Sequence, residues 1–193
     1  ARRCVLETVS TLYGVIPPAT TPFDAHGDIQ YDAAGRQIKW LIENGAQGVA
    51  VGGSTGEGQT LDREEFRDLI AASTDAAAGQ VPVIAGIITD STREAVIRGK
   101  MIRDLKTVAL QVTPVHYLFK PSDDAMVEHF RTLAGETGQK IIIYNVVPWT
   151  YLSPTLLLRI MDEVPDVIGV KQSAGDLKLF ADLMADARPG NLI

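Results

Sequence analysis

Three groups that could take part in carbonyl chemistry stand directly after apolar runs of the sequence. The first is Lys171, which follows the apolar residues 167–170. The simplest explanation is a lysine that emerges into solvent at the end of a strand, as most lysines do. If the amine is instead held in a dry pocket, burial disfavours the ammonium form, and a free amine is available to attack a carbonyl carbon.

Tyr144 is the second candidate, and it closes the apolar run 141–143. A tyrosine at such a place is more often a core ring whose hydroxyl binds the backbone. Next to an amine and a keto acid, however, a phenol can pass the protons that carbinolamine and imine formation require. Removal of the hydroxyl alone distinguishes the two interpretations.

The third candidate is the turn at residues 52–58, which has the sequence Gly-Gly-Ser-Thr-Gly-Glu-Gly. It lacks the Gly-Lys-Ser/Thr signature of a nucleotide-binding P-loop, so a phosphate site is only weakly supported. Gly53 lets backbone amides approach a ligand closely, and Ser54 and Thr55 add two adjacent hydroxyls. Such a turn suits a small carboxylate, which needs a few converging donors and no cationic side chain.

The segments around these groups alternate between short apolar runs and longer stretches of helical period. This alternation is typical of repeated β-α units around a parallel sheet, whose strands are nearly all apolar because both faces are covered. The candidate strands are residues 13–17, 48–51, 83–86, 108–112, 141–144 and 167–170, and residues 190–193 would open a seventh.

Helix start signals recur between the candidate strands. Asp62 with Glu65, and Ser91 with Glu94, have the spacing of capping boxes. Ser153 precedes a proline at the first helical position, where the missing N–H costs nothing. Together the signals predict helix starts near residues 62, 91, 122 and 153.

All three chemical candidates lie at the carboxyl ends of separate predicted strands. The alternation alone fits either an open, doubly wound sheet or a closed barrel. In a barrel these strand ends converge on one mouth, where the active site lies. The barrel would therefore bring the amine, the phenol and the turn together.

The composition argues against several classes of partner. The formal net charge is −6, and the basic residues are spread singly along the chain, so no nucleic-acid partner is expected. No apolar run approaches the roughly 20 residues of a membrane span. Cys4 is the only cysteine, which favours a reducing, cytoplasmic setting. His26 and His129 lack metal-ligand spacing, so no metal site is predicted.

Taken together, the segments resemble the dihydrodipicolinate synthase / N-acetylneuraminate lyase family of pyruvate-dependent class I aldolases. The resemblance covers essentially the whole chain, and the combination of motifs is specific although no single motif is. The matching motifs are Gly-Val-Ile-Pro at 14–17, Thr-Pro-Phe at 21–23, Gly-Ser-Thr-Gly-Glu at 53–57, Thr-Pro at 113–114, Tyr-Asn-Val at 144–146 and Gly-Val-Lys at 169–171.

The resemblance implies a fold, an assembly and a role for each candidate. The expected fold is a (β/α)₈ TIM barrel followed by a small helical domain, in a homotetramer. Lys171 would form an imine with pyruvate, Tyr144 would relay protons, and Ser54 and Thr55 would hold the pyruvate carboxylate. No metal or organic cofactor is implied.

Two departures from the family pattern narrow the expected substrate. Trp149 stands where the synthases have an arginine for the carboxylate of aspartate semialdehyde, and an indole cannot form that bidentate ion pair. The loop 113–119 is similar to the lyase pattern Thr-Pro-Phe-Tyr-Tyr-Pro-Phe, with His116 in place of a tyrosine and Tyr117 beside it. We therefore expect a lyase, aldolase or dehydratase that acts on a 2-keto acid and an aldehyde, with His116, Tyr117 and Trp149 contacting substrate.

Three alternatives stay open at this point. One is the lysine-biosynthetic condensation of pyruvate with aspartate semialdehyde. Another is a catalytically silent relative that binds a keto acid reversibly, although sensing needs neither Lys171 nor Tyr144. The third is a phosphate-binding barrel that uses the glycine-rich turn.

The length bears on how much of a barrel the chain can form. A complete barrel has eight strands and typically about 250 residues, whereas this chain has 193. Residues 1–193 are therefore expected to form a single α/β catalytic domain, a barrel truncated after about six β-α units, without the last strands and the helical domain.

Overall fold

A computed structural model of the chain describes residues 12–193, so Cys4 lies outside the described residues. Its centre is a sheet of five parallel strands in the order β1-β2-β3-β4-β5. Because consecutive strands are neighbours throughout, the chain winds in one direction, as a barrel requires and a doubly wound sheet does not. The strands are β1 (Val49–Val51), β2 (Val83–Ile87), β3 (Thr107–Val112), β4 (Ile141–Asn145) and β5 (Val167–Gln172).

Helices alternate with these strands and cover the outer face of the sheet. Short 3₁₀ turns, at Ser54–Gly56 and Pro148–Thr150, follow β1 and β4. None of the helices in residues 12–193 combines the length and the apolar composition that a membrane span needs. The helices are α1 (Tyr31–Glu43), α2 (Arg63–Ala77), α3 (Thr92–Met101), α4 (Asp123–Thr137), α5 (Pro154–Glu163) and α6 (Leu177–Asp186).

The helix starts agree with the predicted capping residues. Asp62 and Glu65 form the complete capping box, in which each side chain accepts from the other residue's backbone N–H. At α3 only half of the predicted box forms: Ser91 Oγ accepts from the Glu94 N–H at 3.2 Å, but the Glu94 carboxylate binds two arginines instead. A charged partner outcompetes a backbone amide for that carboxylate.

The predicted first strand, residues 13–17, is not a strand in the structure. This segment approaches β1 through a single parallel bridge between Pro18 and Ala50. Pro17 and Pro18 have no N–H to donate, so a continuous ladder cannot form there. At the other edge of the sheet, the predicted seventh strand forms only a single bridge within the described residues, between Leu192 and Gly169 of β5.

Two apolar layers lie on opposite faces of the sheet. The outer layer packs the sheet against the helices and contains the fully buried rings of Phe66 and Phe130. The inner layer lines the concave face. Because side chains alternate between the faces of a strand, the residues that follow this inner layer toward the strand ends line the barrel interior. The inner layer comprises Leu12, Ala50, Ile84, Ala109, Ile142 and Ile168.

Candidate active site

The ends of β4 and β5 bring Tyr144 and Lys171 together. The two residues are register partners on adjacent strands. The Lys171 Nζ lies 4.2 Å from the centroid of the Tyr144 ring, over its face. Tyr144 is only 7% exposed, and Lys171 is half-buried. An ammonium over a tyrosine face is attracted by the ring quadrupole, so this contact holds the lysine head in place.

Lys171 lines a cavity of about 400 Å³ on the inner face of the sheet, which we call the inner cavity. Most of its walls are apolar, with Ile84, Ile142 and Val170 among them. The polar lining residues besides the lysine are Tyr13 and Gln111 of β3. Gln111 is buried, and its sequence position within an apolar run gave no sign of a role in the site. A small molecule in this cavity would meet a lysine, a glutamine and a tyrosine side chain on a largely apolar surface.

The glycine-rich turn after β1 packs too closely for side chains at several of its positions. A Cβ on Gly58 would lie 1.8 Å from the carbonyl oxygen of Gly52, and one on Gly86 of β2 would lie 2.5 Å from the Gly53 nitrogen. Gly53 is buried, whereas Ser54 and Thr55 are exposed at the start of the 3₁₀ turn. The glycines thus let the turn sit directly on β2 and present the two hydroxyl residues outward.

Arg98 of α3 binds the backbone of the same turn, and no local pattern in the sequence predicts this contact. Its guanidinium is buried and donates to the carbonyl oxygens of Gly58 at 2.9 Å and Leu61 at 2.7 Å. Its Nε donates to Glu94 at 3.2 Å. Glu94 also accepts from Arg63, and this hydrogen bond, followed by the contact with Arg98, lowers the pKa of its carboxyl. The turn is therefore held in place by the buried Arg98 guanidinium, whose charge is balanced by Glu94.

Four of the predicted substrate-binding residues line a second, larger cavity of about 930 Å³, which we call the outer cavity. The His116 Nε2 lies 3.2 Å from the Asp90 Oδ1, and its Nδ1 lies 2.8 Å from the Pro114 carbonyl oxygen. Both ring nitrogens of His116 thus face oxygen atoms of the protein. The four residues are Ser54, His116, Tyr117 and Trp149.

Trp149 ties the loop after β4 to the loop after β3. Its indole Nε1 donates to the carbonyl oxygens of His116 at 2.6 Å and Tyr117 at 3.0 Å. The indole N–H is thus already used by the backbone. Although the indole itself is 62% exposed, it offers a ligand only its apolar rim and face.

Asn145 holds the base of the loop that contains Trp149. This fully buried side chain donates to the Leu152 carbonyl at 3.1 Å and to the Gln172 Oε1 at 2.9 Å, and its own Oδ1 accepts from the Leu152 N–H at 3.0 Å. The loop is therefore closed by one amide that also joins β4 to β5.

The predicted site residues thus divide between two neighbouring cavities. Lys171 lines the inner cavity with Tyr144 beside it, while Ser54, His116 and Trp149 line the outer one. Gly53 stands between them, because a Cβ at that position would be 3.5 Å from the Gln111 Nε2 of the inner cavity.

The remaining histidines lie elsewhere: His26 is in an exposed turn and His129 is buried in α4.

The winding of the sheet and the position of the site at its strand ends define the chain as part of a (β/α)₈-barrel protein. The chain superposes on dihydrodipicolinate synthase from Aquifex aeolicus with a TM-score of 0.87 and 29% identity, over 93% of this chain and 61% of that one. A further match is a prophage protein of the dihydrodipicolinic acid synthase family from E. coli K12, solved in complex with pyruvate, with a TM-score of 0.84 and 25% identity, over 89% of this chain and 58% of that one.

The chain belongs to the dihydrodipicolinate synthetase family, whose model matches residues 11–193. It is 37% identical over 183 residues to a protein named 4-hydroxy-tetrahydrodipicolinate synthase from Maridesulfovibrio salexigens, over 93% of this chain and 62% of the relative. The chain spans between 58% and 62% of the length of the curated relatives that it matches. The predicted family and barrel fold are confirmed.

Proposed function

We propose that the protein is a Schiff-base-forming lyase that acts on pyruvate or another 2-keto acid, with Lys171 as the nucleophile. The observation on which this rests is the Lys171 amine in the wall of an otherwise largely apolar cavity, against the face of Tyr144. Imine formation requires an amine in the wall of a site that can hold a keto carbon, and Lys171 has that position. The family member in complex with pyruvate supports the choice of keto acid.

The proposed reaction begins when the uncharged Lys171 amine adds to the keto carbon. The carbonyl oxygen takes up one proton from the amine nitrogen and a second from an acid and leaves as water, which gives a protonated imine. This imine withdraws electrons from the adjacent carbon, so loss of a proton there yields an enamine that adds to an aldehyde carbonyl. The same steps in reverse cleave an aldol. Tyr144, whose ring touches the amine, is the group proposed to pass these protons.

The turn after β1 is the proposed site of the keto-acid carboxylate. Ser54 and Thr55 present hydroxyls at the start of a 3₁₀ turn, where backbone N–H groups also point outward. Gly53 places this turn beside the inner cavity. A carboxylate held there would orient the keto carbon toward Lys171.

The outer cavity is the proposed site of the aldehyde half. His116 has both ring nitrogens engaged, and the indole N–H of Trp149 is used by backbone carbonyls. Asp90 and Glu94 add negative charge to the lining, whereas the one guanidinium there, that of Arg98, is bound to the turn and to Glu94. A neutral aldehyde or a longer 2-keto acid suits this lining better than an aldehyde with its own carboxylate.

A second candidate is 4-hydroxy-tetrahydrodipicolinate synthase itself. It is favoured by the names of the curated relatives, which are 37% and 33% identical to this chain in Maridesulfovibrio salexigens and Bacillus subtilis. It differs from the first candidate in its aldehyde, aspartate semialdehyde, and not in the role of Lys171. The relative kcat/KM for acidic and neutral aldehydes separates the two.

The test of the shared mechanism is borohydride reduction of the full-length protein with pyruvate, followed by peptide mass analysis. We expect a covalent adduct on Lys171, and neither adduct nor turnover in Lys171→Ala. Lys140→Ala is the matched control, because Lys140 is also partly buried but pairs with Asp166 before β4, at the opposite end of the strands. An adduct confined to another lysine, or none in a folded protein, contradicts the proposal.

A further inference from the structure

Gln111 occupies the floor of the site next to the Tyr144 and Lys171 pair. In the sheet it is the register partner of Ile142, which in turn pairs with Gly169. Tyr144 and Lys171 pair two positions further along the same strands and therefore lie on the same inner face. The Gln111 side chain thus belongs to the row directly beneath the amine.

The Gln111 amide is a polar group among mostly apolar side chains. Gln111 is 4% exposed as a residue and lines the inner cavity with Ile84, Ile142 and Val170. Its amide atoms are not among the side-chain atoms that are both buried and unpaired within residues 12–193, so the amide faces the cavity. A polar group of a ligand in the cavity can therefore form a hydrogen bond with it.

The amide points toward the glycine-rich turn. The Gln111 Nε2 lies 3.5 Å from where a Cβ of Gly53 would stand, and its register partner on the other side, Gly86, has no side chain to intervene. The NH₂ group is therefore directed to the space between Lys171 and the turn with Ser54 and Thr55. That is the space which a keto-acid carboxylate occupies in the proposed reaction.

We propose that the Gln111 Nε2 donates a hydrogen bond to the carboxylate of the 2-keto acid and thereby selects keto acids over uncharged ketones and esters. This inference rests on the proposed function, because it uses the same substrate and the same orientation. The donor adds to those of the turn after β1. The proposed bond is charge-assisted because its acceptor is a carboxylate, and such bonds are stronger than those between two neutral groups.

The test compares the binding of pyruvate and of its neutral methyl ester to the full-length protein by titration calorimetry. In Gln111→Met, which keeps the length of the side chain, the Kd for pyruvate should rise about tenfold or more, while that for methyl pyruvate changes little. The melting temperature should not fall, because methionine fills a similar space and no hydrogen bond to another residue of 12–193 is lost. Gln37→Met on α1 is the matched control: the Gln37 amide donates to the Thr20 hydroxyl, away from the inner cavity, and its loss should leave both affinities unchanged.

The outcomes separate this inference from the proposed function. Unchanged pyruvate affinity in Gln111→Met, an equal loss for both ligands, or a lower melting temperature would each assign the amide a structural role and overturn the inference. If borohydride gives no adduct in the wild type but Gln111→Met still weakens pyruvate selectively, the Lys171 chemistry is wrong and the inference holds. If the wild type binds no pyruvate, both fail. Should Gln111→Met not fold, Gln111→Leu and Gln111→Asn provide the same comparison.

Discussion

The Nζ of Lys171 lies 4.2 Å from the centroid of the Tyr144 ring, and the two residues are register partners on neighbouring parallel strands. Their proximity is thus set by the backbone ladder and not by flexible loops. Imine formation needs an uncharged amine and a group that passes protons to and from the reacting oxygen. Because its ring touches Lys171, Tyr144 is the group that we propose for this transfer.

The first prediction separates the ring of Tyr144 from its hydroxyl. Tyr144→Phe keeps the packing and the face on which Lys171 rests, but removes the proton relay. The kcat of the full-length enzyme should fall roughly 10²-fold or more, with little change in melting temperature. Tyr31→Phe on α1 is the control and should retain activity. A lower melting temperature with intact kcat would identify Tyr144 as a core residue only.

The second prediction concerns the stability of the fold in acid. Burial lowers the pKa of His129 to about 4, so the ring is uncharged in the folded protein down to that pH. In the unfolded chain a histidine accepts a proton near pH 6.5. The contribution of His129 to stability is therefore constant above about pH 6.5 and falls by up to about 3 kcal/mol as the pH drops from there to about 4.

Urea unfolding at a series of pH values measures this dependence. The His129→Asn variant keeps a partner for the Thr92 hydroxyl, which lies 2.8 Å from the His129 Nδ1, but it cannot be protonated. Its unfolding free energy should fall less steeply below pH 6.5 than that of the wild type. His26→Asn, at an exposed turn, should follow the wild-type curve. Parallel curves for all three proteins would contradict the burial argument.

The helices and most strands could be predicted because their signals are local. Asp62 with Glu65 fixes the start of α2 within four residues, and the apolar run before Lys171 identifies β5. The first strand was placed wrongly because Pro17 and Pro18 lack the donors that a ladder needs, although the segment does approach β1. An apolar run alone does not show which backbone N–H groups are available to form the hydrogen bonds of a strand.

The buried polar residues of the site could not be predicted from sequence in the same way. Arg98 binds backbone carbonyls 40 and 37 positions away, and Gln111 stands inside what is otherwise an apolar strand. Their partners become neighbours only when the sheet closes. The sequence also predicted a single mouth for all candidates, whereas the structure assigns Lys171 and Trp149 to adjacent cavities.

The third prediction tests whether Arg98 positions the carboxylate-binding turn. Arg98→Met removes two hydrogen bonds to the turn carbonyls, so the KM for pyruvate should rise about tenfold with a smaller change in kcat. Arg67→Met is the control, since Arg67 forms a comparable bidentate pair with Asp104, 2.7 Å and 2.8 Å long, but does not touch the turn. Both variants should lower the melting temperature, and only Arg98→Met should raise the KM. If both variants raised the KM for pyruvate equally, Arg98 would contribute to the stability of the fold in general and would not position the turn.

The last prediction concerns the aldehyde and follows from the position of Trp149 in the outer cavity. An aldehyde with its own carboxylate would lose hydration there and meet an indole whose N–H is already donated to His116 and Tyr117. An unpaired charge in such a place is unfavourable. We expect kcat/KM for aspartate semialdehyde to be lower than for a neutral aldehyde by an amount on the order of 1.5–3 kcal/mol, the loss of one charge-assisted hydrogen bond.

Two variants of Trp149 test separately the effect of adding a cation to the outer cavity and the effect of losing the hydrogen bonds that join the two loops. Trp149→Phe loses the bonds to both carbonyls but gains no charge, so it should loosen the loop without changing the order of preference. Trp149→Arg supplies a guanidinium and should shift the preference toward aspartate semialdehyde. Steady-state rates with both aldehydes, at fixed pyruvate, measure the shift. If the wild type condenses aspartate semialdehyde efficiently and Trp149→Arg does not improve it, the acidic aldehyde has another partner, and the synthase activity named for the curated relatives becomes the better assignment.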